Sequence, residues 1–273
     1  MAATRRKQRQ RKRNWLDNLS LIGMVHLPAL PGSPQAALQM AKIIERAVGE
    51  AKLLARAGFD AVIVENYGDA PFAAEHVPPE TVAAMGVVVD HVVRAVNCLV
   101  GVNVLRNDAP AALAVAAVSR AAFIRVNILS GTYATDQGLI TGLAHDLLRR
   151  RAHVAPHVRI AADVHVKHAQ PISQPDIALA AAETAHRGGA DALIVSGDAT
   201  GSPTDLDAVR RVKDAVPDRP IWIGSGVTAA AVAEFLTVAD AVIIGTSLKR
   251  AGKTTAPLDA KHVRAFVKAA RAR

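Results

Sequence analysis

Several kinds of protein are excluded by what this chain lacks. It holds one cysteine, Cys98, in 273 residues. That rules out an internal disulfide framework and any cysteine cluster for a metal. Aromatic residues make up only 3%, although 51% of the chain is hydrophobic. The apolar content is Ala, Val, Ile and Leu, as expected of parallel strands buried beneath Ala-rich helices. No apolar run approaches the roughly 20 residues that span a bilayer. The first residues carry no apolar segment of the signal-peptide kind, so a cytoplasmic location is expected, with peripheral membrane association as an alternative. A GxGxxG turn is missing after the first candidate strand, which argues against a doubly wound dinucleotide-binding sheet.

Acidic residues are missing from one place in particular. Residues 1–13 contain seven Lys or Arg and no Asp or Glu. They account for most of the formal charge of +9, because 26 basic residues face 24 acidic ones in the remainder. With nothing apolar to bury, residues 1–14 read as a disordered basic tail. Such an arm either contacts nucleic acid or an anionic membrane, or is only a solvated extension.

What the chain does have is alternation. Short apolar runs stand at 20–27, 60–66, 99–105, 123–129, 158–166, 190–197, 220–226 and 239–245, with Ala-rich helical stretches between them. Continuous apolar runs are the mark of buried parallel strands. Glycines at Gly58 and Gly188-Gly189 precede strands, where a left-handed residue closes a helix. Eight strand–helix units in 28.6 kDa predict an α/β fold, a single TIM (β/α)8 barrel over residues 15–273.

Active sites of such barrels form at the C-terminal ends of the strands, and these ends are polar. His26 ends the first run, and Glu65 and Asn66 the second. Asn103 and Arg106 follow on the third, Arg125 and Asn127 on the fourth. Asp163, His165, Lys167 and His168 crowd the fifth, and Ser196, Asp198 and Thr200 follow the sixth. Burying such groups costs free energy unless they are paired or used. Strand parity places Asp163, His165 and Lys167 on one face, with Val164 and Val166 opposite. Arg125 and Asn127 share a face in the same way. The alternative is an internal salt bridge, Arg125 with Asp163, that only plugs the barrel. The seventh and eighth runs end in Gly224-Ser225-Gly226 and Gly245-Thr246, where barrels often bind phosphate on glycine-rich loops.

At these residues the sequence resembles the BtpA/SgcQ family. The resemblance rests on GMVHLPALPGSP, DAVIVENYGDAPF, GVNVLRNDA, FIRVNILSGTYATDQGLI, ADVHVKHA, ADALIVSGDATG, IGSGVT and IIGTSLK, across about residues 20–250. It implies a barrel of the ribulose-phosphate-binding group. It also implies kinship with a cyanobacterial protein linked to photosystem I accumulation and with members found among sugar-metabolism genes.

The residues themselves suggest a division of labour. Glu65, Asp163 and His165 are the candidate acid and base. Lys167 either neutralises an oxyanion or, with a depressed pKa, forms a Schiff base. His26, Asn66, Asn103, Arg106, Arg125, Asn127 and Ser196 are candidates to bind substrate, and Gly224, Ser225, Gly226, Gly245 and Thr246 to bind phosphate. No cofactor is expected. A divalent metal held by Asp163 and His165, with Glu65 opposite, is the alternative. The expected function is an enzyme acting on a small phosphorylated metabolite, of sugar-phosphate or nucleoside type, by acid/base chemistry. Isomerase, aldolase or lyase, and nucleosidase-like reactions are all open, as is a homo-oligomer. The alternative function is a non-catalytic assembly or stability factor that uses the barrel as a scaffold, as in photosystem I biogenesis.

Overall fold

The computed structural model describes residues 15–172, 176–197 and 204–272. The basic tail, Asp198 and Thr200 lie outside the described residues. Among the described residues there are eleven strands and eight α-helices. The barrel strands are β1 (Leu21–His26), β2 (Ala61–Glu65), β3 (Leu99–Asn103), β4 (Phe123–Val126), β7 (Arg159–Val164), β9 (Ala192–Val195), β10 (Ile221–Ile223) and β11 (Ala241–Ile244). They pair in parallel and close in the order β1-β11-β10-β9-β7-β4-β3-β2, which is the expected (β/α)8 barrel. The register sets His26 beside Glu65 and Glu65 beside Asn103 at the rim.

Strand faces divide the core in two. Ile22, Met24, Ile63, Phe123, Ile194, Trp222 and Ile243 fill the barrel interior with Leu16 and Leu19. Phe123 and Trp222 meet edge to face at 5.7 Å, a geometry that aromatic quadrupoles favour. The opposite faces of the strands, such as Val25, Val64 and Val102, pack under the helices.

The strand starts carry a repeated device. Asp60 stands just before β2, and its Oδ2 accepts the N–H groups of Ser20 and Leu21 at 2.9 Å each. Asp191 before β9 takes the N–H of Ile160, and Asp240 before β11 takes that of Ile221. Each carboxylate satisfies backbone donors of the neighbouring strand's first turn, at the end of the barrel away from the polar rim. Gly58 closes α1 (Met40–Ala57) at φ 97 as the sequence suggests, with its N–H on the carbonyls of Leu54 and Ala55.

One element is absent from the sequence reading. β5 (Thr132–Thr135) and β6 (Gly138–Thr141) form a hairpin, and β8 (Ala169–Pro171) pairs with β5. This small antiparallel sheet follows β4 and brings Asp136, in its hairpin turn, to the barrel mouth.

Candidate functional site

The floor of the site is a closed polar network. On β4, Arg125 points inward and grips Asp163 of β7 with two bonds, Nε to Oδ2 at 2.9 Å and Nη2 to Oδ1 at 2.7 Å. Asn127 Nδ2 donates to Oδ2 at 3.2 Å, and Ser196 Oγ donates to Oδ1 at 3.4 Å. A carboxylate has about four acceptor positions, so Asp163 is fully engaged. Asn103 Nδ2 in turn donates to Asn127 Oδ1 and to the Arg125 carbonyl. Arg125 and Asp163 are 2% and 4% exposed, so neither exchanges this pairing for water. The salt bridge considered as an alternative is therefore present. Asp163 and Ser196 lie beneath the cavity and hold Arg125 and Asn127, which line it.

Above this floor opens a cavity of about 710 Å³ at the C-terminal ends of the strands. One wall carries His26, Glu65, Arg106, Arg125, Asn127 and Lys167, and the other Gly224, Ser225, Gly226, Gly245 and Thr246. His26 Nε2 stands 3.6 Å from Glu65 Oε1, and His26 Nδ1 is buried with no partner. Burial holds His26 well below its ordinary pKa, with the charges of Lys249, Lys167, Arg125 and Arg46 acting the same way. Burial pushes the Glu65 carboxyl up, helped by Asp163, while Arg125, Lys167 and Arg106 oppose it. Lys167 is pulled down to about 8, first by desolvation and then by the Arg125 charge. Burial thus favours the neutral form of all three, moving Glu65 and Lys167 toward neutral pH and His26 away from it, and perturbed groups of this kind gather where protons are moved.

His165 departs from the parity expectation. β7 ends at Val164 and His165 takes the left-handed conformation at φ 49. The alternation stops there because the chain turns away to form β8 against β5. The His165 ring packs edge-on to Tyr133, with centroids 6.4 Å apart, and is not part of the cavity wall. Asp163, His165 and Glu65 are consequently not gathered. Among the described residues no three His, Cys, Asp or Glu side chains are placed to share a metal ion.

Asn66 also stands outside the wall. Its Oδ1 accepts the Leu105 N–H at 2.7 Å and its Nδ2 donates to Asp69. It braces the loop that carries Arg106, whose Nη2 donates to the Lys167 carbonyl at 2.6 Å. Arg106 Nε is buried and has no partner.

The glycine loops meet on the far side of the cavity. Ser247 Oγ donates to the Val227 carbonyl at 2.8 Å, tying the loop after β11 to the loop after β10. Ser225 Oγ accepts the Gly197 N–H at 2.9 Å, fastening the loop after β9. A 3₁₀ turn, Thr246–Leu248, begins here, so its first N–H groups have no acceptor within the turn. A Cβ at Gly245 would stand 2.8 Å from His26 Cε1, and one at Gly224 would press on Ile194 at 2.6 Å. Glycine lets the backbone approach whatever the cavity holds.

Among the aromatic and charged residues of the wall, Tyr67, Phe72 and Asp136 escaped the sequence reading, whereas His168 did not. Tyr67 stands 5.0 Å from the His26 ring. Tyr67 and Phe72 lie in the YGDAPF stretch after β2, where two of the chain's few aromatics come five residues apart.

A family model, that of the BtpA family, matches residues 17–272. The chain belongs to the BtpA family. It is 46% identical over 249 residues to the Photosystem I biogenesis protein BtpA of Synechocystis, covering 91% of this chain and 87% of that one. An uncharacterized protein of Pyrococcus abyssi is 43% identical, covering 88% and 91%. A mitochondrial protein of Caenorhabditis elegans is 33% identical, covering 91% of each chain. Among solved structures, one described as native KDPGal superposes with a TM-score of 0.57 at 18% identity, covering 93% of this chain and 95% of that one. Phosphoribosyl anthranilate isomerase of Thermus thermophilus gives 0.54 at 12%, covering 92% and 98%. At such identities the superpositions show the shared barrel alone.

Proposed function

We propose that this BtpA-family barrel is an enzyme acting on a small phosphorylated metabolite at its C-terminal face. One observation supports this best. A single cavity joins the glycine loops after β10 and β11 to Glu65, His26 and Lys167, three groups whose neutral forms are favoured by burial. The amide end suits a phosphate, because backbone N–H groups bind an anion without paying for side-chain ordering. Arg106 and Lys167 add positive charge. Glu65, protonated more readily than an ordinary carboxyl, is suited to give a proton to a substrate oxygen. Neutral His26, with a free ring nitrogen, is suited to accept one. Arg125 and Asn127, locked from below, present fixed donors to whatever charge develops.

A second reading rests on the 46% identity to a protein named for photosystem I biogenesis: a non-catalytic factor that uses the barrel as a scaffold. Calorimetric titration with ribose 5-phosphate and with inorganic sulfate separates the two. The enzyme reading expects both to bind, and expects Thr246→Pro, which removes an N–H donor, to weaken them together. Absence of binding by either anion to a folded protein would overturn it in favour of the scaffold.

A further inference from the structure

We propose that Lys167 is a covalent catalyst that forms an imine with the carbonyl carbon of a phosphorylated aldehyde or ketone bound in this cavity. The inference rests on the phosphate reading above and narrows it to open-chain carbonyl substrates.

The geometry comes first. Lys167 follows the fifth barrel strand and lines the cavity. Among the described residues the half-buried Lys167 forms no ion pair within 4 Å, whereas the buried Lys249 is bound to Glu50 at 2.7 Å. Lysines buried for structural reasons need a carboxylate in this way. The carboxylate that would serve Lys167, Asp163, is consumed by Arg125, Asn127 and Ser196. The groups facing the amine are the guanidinium groups of Arg125 and Arg106, the carboxyls of Glu65 and Asp163, and His26. Two fixed cations beside an unpaired amine favour its neutral, nucleophilic form. The value of about 8 agrees with that arrangement.

The step balances with groups already present. Nζ of neutral Lys167 attacks the carbonyl carbon and a C–N bond forms. Glu65 gives its proton to the carbonyl oxygen and recovers one from the nitrogen, leaving a neutral carbinolamine. Glu65 then protonates the hydroxyl, which departs as water when the C–O bond breaks. The products are a protonated imine and the Glu65 carboxylate, which face each other. The imine withdraws electrons from the adjacent carbon, and His26 is placed to take or return a proton there.

Pyridoxal 5′-phosphate is the probe, used as an aldehyde that carries a phosphate. The full chain is incubated with a substoichiometric amount, reduced with borohydride, digested and mapped by mass spectrometry. An ordinary lysine has a pKa of 10.5, so at pH 8 the neutral fraction of Lys167 exceeds that of a surface lysine by roughly 100-fold. Less basic amines are weaker nucleophiles, so about a tenfold preference for Lys167 is expected to survive, by analogy with thiols. Label should concentrate on Lys167, with a pH midpoint near 8, and sulfate should suppress it. Lys167→Met should lose it while its melting temperature confirms folding. Label on Lys167 that sulfate leaves unchanged would support the imine and overturn the phosphate reading. Sulfate binding with Lys167 unlabelled, or labelled no faster than surface lysines, would overturn the imine and leave the phosphate reading standing.

Discussion

Replacing Asp163 by Asn tests whether the charge pair beneath the cavity is a support or a reactant. The substitution keeps the shape and removes the charge. Arg125, 2% exposed, would keep a full guanidinium charge with no counterion, and one of its two bonds would face an amide N–H₂. Removing one partner of a buried pair costs about 3–5 kcal/mol. Typical total stabilities are about 5–15 kcal/mol, so the variant stays folded but loses a large share of its margin. At about 2–4 °C per kcal/mol for a domain approaching this size, the melting temperature should fall by roughly 6–20 °C. One of Asn127 and Ser196, which donate to different carboxylate oxygens, would lose its acceptor as well, so affinity for a cavity ligand should fall together with stability. Replacing Arg125 by Met and Asp163 by Leu in one chain removes both charges and should recover much of the melting temperature, though not the ligand affinity. Differential scanning calorimetry with anion titration measures both quantities. A shift in Asp163→Asn below about 1 °C with abolished turnover would refute the reasoning. Asp163 would then be a reacting group and not a support.

Other expectations follow from individual groups. His26 has a folded pKa below its unfolded value of 6.5, so the stability it contributes is present above pH 6.5 and is lost as the pH falls toward the folded value. His26→Gln should flatten that part of the stability–pH curve, and an unchanged curve would contradict a neutral buried ring. Gly245→Ala drives a Cβ to 2.8 Å from His26 Cε1, so it should cost about 1–3 kcal/mol and weaken sulfate binding about tenfold. Lys249→Met removes one of two cations beside Glu50, leaving Arg46 Nε at 3.3 Å, and should cost about 1.5–3 kcal/mol, with sulfate affinity unchanged in calorimetric titration. A bound sulfate should raise the pKa of Lys167, so binding at pH 8 should take up to about half a proton from buffer, measured as a dependence on buffer ionisation heat and lost in Lys167→Met.

The barrel was legible because its two periods are strongly written. Eight apolar runs map onto eight strands, and polar residues at their ends map onto one rim. The repeated Asp before a strand, in FDAVIV, ADALIV and ADAVII, was equally visible but was passed over as part of a helix ending. Its role depends on a neighbouring strand's backbone, which the linear sequence does not display. Parity served Arg125 and Asn127 and failed at His165, because it holds only while the strand lasts. β7 stops at Val164 for a reason set elsewhere, the pairing of β8 with β5. The hairpin itself was signalled by Thr135-Asp136-Gln137-Gly138, a two-residue turn between alternating residues, but those residues sit where a barrel reading expects a helix. Which of the polar residues reach the cavity was legible only in part: His26, Glu65, Arg106, Arg125, Asn127 and Lys167 do, and Asn66, Asn103 and Ser196 do not. Asn66, Asn103 and Ser196 are the same residue types as Asn127 and Ser225, and only their hydrogen bonds distinguish supports from walls.

The charges of the site explain why those supports matter. The mouth and floor hold the cations Arg106, Arg125 and Lys167 and the acids Glu65 and Asp163. Arg125 and Asp163 cancel each other through a bidentate pair and contribute no net field to a ligand. Burial biases Glu65 toward its neutral form. What remains uncompensated is Arg106, with its buried Nε unpaired, and Lys167 in whatever fraction it is protonated. A phosphate dianion brought to the glycine loops therefore meets up to two positive charges, with Asp136 at the mouth competing for Arg106. The long-range attraction and the local neutrality of the amine are in tension, since a bound dianion favours the ammonium form. A bound dianion therefore raises the proton affinity of Lys167, and the imine forms from the fraction of the amine that stays neutral at the working pH.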